Sequence, residues 1–386
     1  MALPHVLQYY RVRIPSMTLC GDAQLQALAK AGAIEYRCLQ EDDLQDSDLD
    51  WADIALLPRL DSRYQQTLAE RLRRNGKVLL YMIDDDLLHV PAGMTSAPYY
   101  NLPATQRHIR SMLGMSHALI SPSLRLLEML GQEGQERVFL EEPALLQAPF
   151  RPHVPGEPVT IGFAGSLDRS ADADGALYTA LTRIRSDYGE RVRFAFFGAK
   201  PDFAEALGAE LHPFCKDYEA YLRQLADCHW DIGLAPMADT PFHACKHYIK
   251  LTEYGAMGTA GICRGLPPYD RAEAMGFPAQ YVDGTAEGWE RALRRWLEAP
   301  EQLEESRRAV WERVQRDFSP EKTAEALMPV LGRAMEIREA GRTTKKVPYH
   351  TRWHKALNWV WKGTNYVRIH RGHTVRDLIQ RGSLRG

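Results

Sequence analysis

A chain of 386 residues, 45% hydrophobic and 25% charged, is long enough for two globular domains and has an ordinary globular make-up. With no run of eighteen apolar residues and an opening, MALPHVLQYYRVRIPS, whose apolar run is too short for a secretory signal, it excludes a membrane-spanning helix and reads as cytoplasmic. The net charge of −2 conceals an asymmetry: Gly341–Gly386 holds eleven Lys or Arg against one acid, Asp377, and so carries +10, while the other 340 residues carry −12.

Strand-like and helix-like stretches alternate from the start. Val6–Tyr10 reads as a strand, Ala23–Ala31 as a helix, Ile54–Leu57 as a strand, Arg63–Arg74 as a charged helix and Val78–Met82 as a strand. Ala118–Ile120 and Ser123–Leu130 continue the pattern as strand and helix. Such alternation predicts parallel βαβ units and a doubly wound sheet. Pro152, Pro155 and Pro158 mark a linker, and a second alternating set follows. Its strands are Val159–Phe163, Val192–Phe197, Ile232–Leu234, Gly261–Cys263 and Gln280–Val282. Its helices are Asp174–Arg185, Tyr218–Ala226, Tyr248–Met257, Ala286–Trp296 and Glu301–Val314. The expected division is 1–152, 153–340 and a basic tail, 341–386. The six cysteines form no Cys-x-x-Cys pair and no zinc spacing, as expected of free thiols in a reducing compartment.

The segment from Asp231 to Arg264, DIGLAPMADTPFHACKHYIKLTEYGAMGTAGICR, carries the most chemistry. It reads as a buried strand, a loop, and a helix bearing Lys246, Lys250 and Glu253 on one face and closed by Gly258. Like charges at i, i+4 cost an isolated helix roughly 0.2–0.5 kcal/mol. A bound anion reverses that cost, and a helix start already attracts phosphate. A carboxylate one turn on can accept from sugar hydroxyls. The competing reading is a solvated face with a Lys250–Glu253 ion pair. Upstream, IGFAGSLDR follows the first strand of the second set, where Gly162, Gly165 and Ser166 would let backbone approach a phosphate, unless the turn holds no ligand.

The block Asp231, Gly233, Leu234, Pro236, Asp239, then Phe242, Lys246, Lys250, Glu253 and Gly258 resembles the donor-binding region of glycosyltransferases with the GT-B fold, specifically the retaining family 4 group. The resemblance implies two Rossmann-like doubly wound α/β domains facing a cleft. It implies a UDP-, GDP- or dTDP-sugar donor, no cofactor and no metal. It gives Glu253 the ribose, Gly165, Ser166 and Arg169 the glycine loop, and Pro236, Asp239, Phe242 and Gly258 the donor wall. A second glutamate of many members is replaced here by Cys245, so sugar contacts must come from elsewhere. Only Arg169 stands where an Arg and a Lys often clamp the diphosphate, which shifts that duty to Lys246 and Lys250. In the first half, Tyr9-Tyr10-Arg11 and Pro15-Ser16, the stretch from Ala52 to Arg59, Lys77 to Asp86, and Ser121/Ser123 resemble segments of the same relatives. Arg11, Ser16, Asp84, Asp86 and His89 thereby become acceptor-side candidates, with His89 as a proton acceptor.

Asp84-Asp85-Asp86 invites a metal reading, because hard cations favour clustered carboxylates. A strand-end cluster that caps the following segment is the reading adopted. In the tail, Trp353, Ala356, Leu357, Val360 and Trp361 follow i, i+3, i+4, i+7, i+8, an amphipathic stripe flanked by His354, Lys355, Asn358 and Lys362. An anionic membrane surface or partner, packing against the protein's own domains, and nucleic acid are the three occupants weighed, with nucleic acid ranked last.

The expected function is a metal-independent, retaining glycosyltransferase that passes a sugar to a glycan or lipid-linked acceptor in surface polysaccharide or glycoconjugate synthesis, cytoplasmic or peripheral on the membrane. The alternatives are a non-catalytic GT-B-like nucleotide-sugar-binding or assembly subunit and, third, a sugar-nucleotide epimerase.

Overall fold

Uninterrupted apolar runs set the centre of each sheet. IALLP at Ile54–Pro58 (β3) and VLLYM at Val78–Met82 (β4) are buried at every residue, as strands covered by helices on both faces must be. The computed structural model describes residues 3–340 and 347–369. Among these, β1 (His5–Tyr10), β2 (Glu35–Gln40), β3, β4, β5 (Ala118–Ser121) and β6 (Glu136–Phe139) form one parallel sheet in the order β2-β1-β3-β4-β5-β6. β7 (Val159–Ala164), β8 (Val192–Phe197), β9 (Glu210–His212), β10 (Ile232–Ala235), β11 (Ala260–Arg264) and β12 (Ala279–Val282) form a second, in the order β12-β11-β10-β7-β8-β9.

Each order reverses once. The chain steps from β1 outward to β2, then back across β1 to β3, and likewise from β7 through β8 and β9, then back to β10. Ligands of open α/β sheets bind beyond the carboxyl ends of the strands at such a switch point. Two places are therefore marked by topology alone: the loops after β1 and β3, and the loops after β7 and β10.

The described residues divide into two compact units, one made of those up to Leu140 together with those from Ala324 onward, the other of Glu141–Thr323. The division expected at 152 thus falls at 140, and a physical reason is visible. The 144–151 segment is fastened along the helix Pro300–Asp317: Trp311 Nε1 donates to Ala148 O at 2.8 Å, Arg307 Nη2 to Arg151 O at 2.8 Å, and Ala144 N to Phe318 O at 2.7 Å. The described residues from Ala324 onward belong to the first unit, where Arg338 of the Met328–Ala340 helix lies 2.6 Å from the buried Asp53 carboxylate.

Two strand glycines are dictated by aromatic rings. A Cβ on Gly162 would stand 2.1 Å from the Trp230 indole, and one on Gly233 would stand 2.4 Å from the Tyr254 ring. Gly162 is therefore a packing glycine, not the phosphate approach expected of it. The Tyr254 hydroxyl donates to Leu234 O at 2.9 Å and accepts from Ala164 N at 3.1 Å, so it binds β10 to β7 at the switch point.

The helix Thr351–Ile369 packs against the first unit through its polar edge. Thr351 N and Oγ1 donate to Asp46 Oδ1 at 3.0 and 2.7 Å, Lys355 Nζ to Leu44 O at 2.8 Å, and Asn358 Nδ2 to Glu41 Oε1 at 3.2 Å. Lys362 Nζ stands 3.0 Å from the same buried carboxylate. Trp353, Ala356 and Leu357 of the expected stripe are exposed. Trp361 is half-buried with its ring edge-on to His108; the Val360 side chain lies outside the described residues. The apolar stripe thus does not supply the seat that intramolecular packing would ordinarily use, because Glu41 and Asp46 draw the polar edge inward.

Candidate functional site

The loop after β7 is shaped by two glycines in contact. Gly165 N donates to Phe197 O at 2.9 Å, and Gly198, at φ +74°, sits so close that a Cβ there would be 2.3 Å from Gly165 O. Ser166 is exposed just beyond, so the turn offers backbone to a ligand. Arg169, the expected diphosphate contact, is held by Asp172: its Nε is paired with that buried carboxylate, and Nη2 donates to Pro236 O at 3.1 Å. Asp172 also accepts from Ala238 N at 3.1 Å and lies 3.4 Å from His243 Nε2. These bonds join the glycine loop to the 236–243 loop. Arg169 therefore works as a fastener between the two loops, which explains the acids that accompany it. Asp239 is exposed, Pro236 and Phe242 are buried, and Gly258, at φ +72°, ends the next helix against Phe150.

The helix that follows begins later than expected, at Ile249, and runs to Ala256. Lys246 stands before it in extended backbone, at the end of the short turn His243–Cys245, with Nζ 4.7 Å from the centre of the Phe242 ring. The displacement has an electrostatic cause. His247 is buried between two carboxylates, its Nε2 2.5 Å from Glu141 Oε1 and its Nδ1 2.9 Å from Glu142 Oε2, which pulls the chain out of helical register. Burial works against the imidazolium, but Glu142 and Glu141 prevail and raise its pKa to about 9. Tyr248 adds a donor to Glu141 at 2.7 Å.

Lys250 and Glu253, by contrast, are brought together. Lys250 Nζ lies 2.6 Å from Glu253 Oε2, which also accepts from the Tyr221 hydroxyl at 3.0 Å; Oε1 accepts from the Tyr218 hydroxyl at 2.8 Å. Burial and the neighbouring Glu253 push the Tyr221 hydroxyl well above its ordinary value, so it remains a donor. Tyr218 and Tyr221 were not among the sequence candidates. Their i, i+3 spacing on the Tyr218–Asp227 helix was the available signal, and their relation to Glu253, more than thirty residues on, was not in it.

The first switch point gathers a different set. Arg11 Nη1, just past β1, donates to the Tyr99 hydroxyl at 2.7 Å and lies 3.4 Å from Asp61. Arg59, just past β3, has φ +48°, uncommon for a side chain of its size; its Nη1 reaches Ser16 Oγ at 3.2 Å, Asp84 at 3.1 Å and Asp85 at 3.6 Å. Burial opposes the Arg59 charge, and Asp84, Tyr100 and Asp85 hold it well above its ordinary value. Its Nε is buried and, among the described residues, has no hydrogen-bond partner. Both arginines line a cavity of about 110 Å³ shared with Ile14, Met17, Asp61 and Tyr100. Arg59, Asp61, Tyr99 and Tyr100 were missed as site candidates in the sequence. The acidic run divides: Asp84 and Asp85 face Arg59, while Asp86 caps its own turn, accepting from Leu88 N at 3.3 Å and pairing with the exposed His89 at 2.9 Å. Among the described residues no group of three His, Cys, Asp or Glu is placed to hold a metal ion, nor is any helix long and apolar enough to cross a membrane.

No protein-family model matches the chain, and no curated protein sequence does. Solved structures do. A glycosyltransferase from Rickettsia africae ESF-5 aligns over 87% of this chain and 100% of its own, with TM-score 0.57 and 12% identity. A candidate UDP-N-acetylglucosamine 2-epimerase from Listeria monocytogenes covers 88% and 98%, with TM-score 0.53 and 14% identity. The S. aureus MnaA–UDP co-structure covers 89% and 99%, with TM-score 0.50 and 9% identity. With two parallel six-stranded sheets flanked by helices, each reversing once, the chain has the GT-B fold of two Rossmann-like domains.

Proposed function

We propose that the protein is a glycosyltransferase moving a sugar from a nucleoside-diphosphate donor to a glycan or lipid-linked acceptor. The observation that carries the reading is the set at the second switch point, where Glu253 and Lys250 on the Ile249–Ala256 helix bond with Tyr221 on the Tyr218–Asp227 helix, after the loops that hold the Gly165 turn and Lys246. A carboxylate has about four acceptor positions. Three of those on Glu253 are filled, which leaves room on Oε1 for one ribose hydroxyl. The Gly165–Ser166 backbone and the Lys246 ammonium would take the diphosphate and stabilise the charge that develops as it leaves. Resemblance to the family 4 enzymes favours retention at the anomeric carbon, a metal-independent reaction, a role in surface polysaccharide or glycoconjugate synthesis, and a cytoplasmic place of work. Arg11, Ser16, Arg59 and Asp84 around the first cavity are the acceptor-side candidates.

A thermal-shift panel of nucleoside diphosphates and sugar nucleotides tests the reading. At a hundredfold excess over Kd a bound ligand adds about 2.7 kcal/mol. A selective shift with one base is expected, and Glu253→Gln should abolish most of it without unfolding the protein. No shift with any nucleotide overturns the reading. A second reading, a nucleotide-sugar-binding or assembly subunit without catalysis, draws on Cys245, whose buried thiol donates to Pro241 O at 3.4 Å where many relatives offer a carboxylate. Selective binding with no turnover in any acceptor extract would favour it. Donor converted to its epimer without acceptor would instead favour an epimerase.

A further inference from the structure

The Thr351–Ile369 helix is amphipathic with its faces inverted. At 100° per residue, Thr351, Lys355, Asn358 and Lys362 fall within about 60° of one another, and that edge is bonded to Asp46, Leu44 O and Glu41. Ala356, Trp353 and Leu357 lie opposite that edge, and Trp359 and Arg352 lie on its flank, about 70–90° from its centre. Trp353 is 66% exposed, Trp359 64% and Leu357 50%. Trp353 and Leu357 are neighbours at i, i+4, and exposed large apolar side chains grouped on one side of a helix mark an interaction site.

We propose that this face is a docking surface for an anionic lipid bilayer. Three observations select that occupant. The exposed side of the helix carries Trp353 and Leu357 with Trp359 at its margin, and tryptophan favours the boundary between headgroups and acyl chains. The segment around it, 341–386, carries +10 while the other 340 residues carry −12, so an anionic surface repels the body and attracts this segment. The polar edge is already bonded to the protein through Thr351 and Asn358 Nδ2, so the helix presents its apolar face without first unfolding. A membrane-interface helix of this kind lies in the plane of the interface, with its apolar side sunk about 5–10 Å. The inference does not rest on the reading of the donor site.

The test is co-sedimentation of the full chain with vesicles of phosphatidylcholine and phosphatidylglycerol, with phosphatidylcholine alone as control, alongside a variant combining Trp353→Ser, Leu357→Ser and Trp359→Ser. The expected result is binding to the anionic vesicles with a blue shift of tryptophan emission, reduced about tenfold or more in the variant while its thermal midpoint stays that of the wild type. Lack of binding to anionic vesicles overturns the proposal. So does equal binding by the variant, since charge alone would then suffice. A lowered thermal midpoint in the variant also overturns it, because the face would then be packed within the protein. Binding to single-stranded RNA or DNA in preference to the vesicles counts against it as well.

Discussion

Replacing His247 with Gln perturbs the electrostatic frame just ahead of Lys250 and Glu253. His247 is 8% exposed and flanked by Glu141 and Glu142. Burial alone would lower its pKa, yet the two carboxylates raise it to about 9 from an ordinary value of about 6.5. A group whose folded pKa exceeds its unfolded one stabilises fully below the unfolded value and loses that contribution as pH rises through the folded value. The gap corresponds to something on the order of 3 kcal/mol, lost between about pH 6.5 and pH 9. Burial works against the Glu141 carboxylate, but His247 holds it below its usual range, so acidification removes stability from the other side. His247→Gln leaves the buried Glu142 and the part-buried Glu141 without the imidazolium between them, a cost of about 3–5 kcal/mol near pH 6. Near pH 9 the wild type has surrendered much of the same interaction, and the difference should shrink to about 1 kcal/mol. Urea unfolding of both proteins at pH 6, 7.5 and 9, followed by tryptophan fluorescence, reads this directly, since Trp230, Trp289 and Trp296 are buried in the second unit. An equal deficit at pH 6 and pH 9, or a wild-type midpoint that rises across that interval, would refute the reasoning.

Two further substitutions separate packing from charge. Gly233→Ala places a Cβ 2.4 Å from the Tyr254 ring; it should destabilise the protein by about 1–3 kcal/mol, read as a lower urea midpoint. Arg59→Met removes the cation facing Asp84 and Asp85 and should cost about 3–5 kcal/mol at neutral pH, with the deficit narrowing as the carboxylates protonate below about pH 4. Because Arg59 belongs to the first switch point, the nucleotide-induced thermal shift in Arg59→Met should match that of the wild type.

Much of the framework was legible from local pattern. Arg63–Arg74, Val78–Met82 and Val192–Phe197 begin and end as periodicity and apolar runs predict. β2 and β6 were not recognised, because edge strands alternate or shorten and EYRCLQ and ERVF lack a continuous apolar run. The three-residue β9 gave too little pattern of its own. The Lys250–Glu253 pair was legible because three positions on a helix decide it. Tyr218, Tyr221, Arg59 and Tyr99 were not, since their partners lie 25 to 88 residues away and meet through the sheet.

By itself the sequence determined the elements, the two α/β sets, and the block resembling a sugar-nucleotide site, because apolar periodicity, glycine and charge spacing act over a few residues. Tertiary structure decided which candidates remain available to a ligand. Arg169 is drawn to Asp172, His247 to two glutamates, and Gly162 lies beneath Trp230. It also turned the polar edge of the Thr351–Ile369 helix inward. Apart from the local Arg169–Asp172 pair, each of these outcomes depends on a partner far along the chain: burial makes an unpaired charge costly, and the distant partner is brought in by the order of the strands.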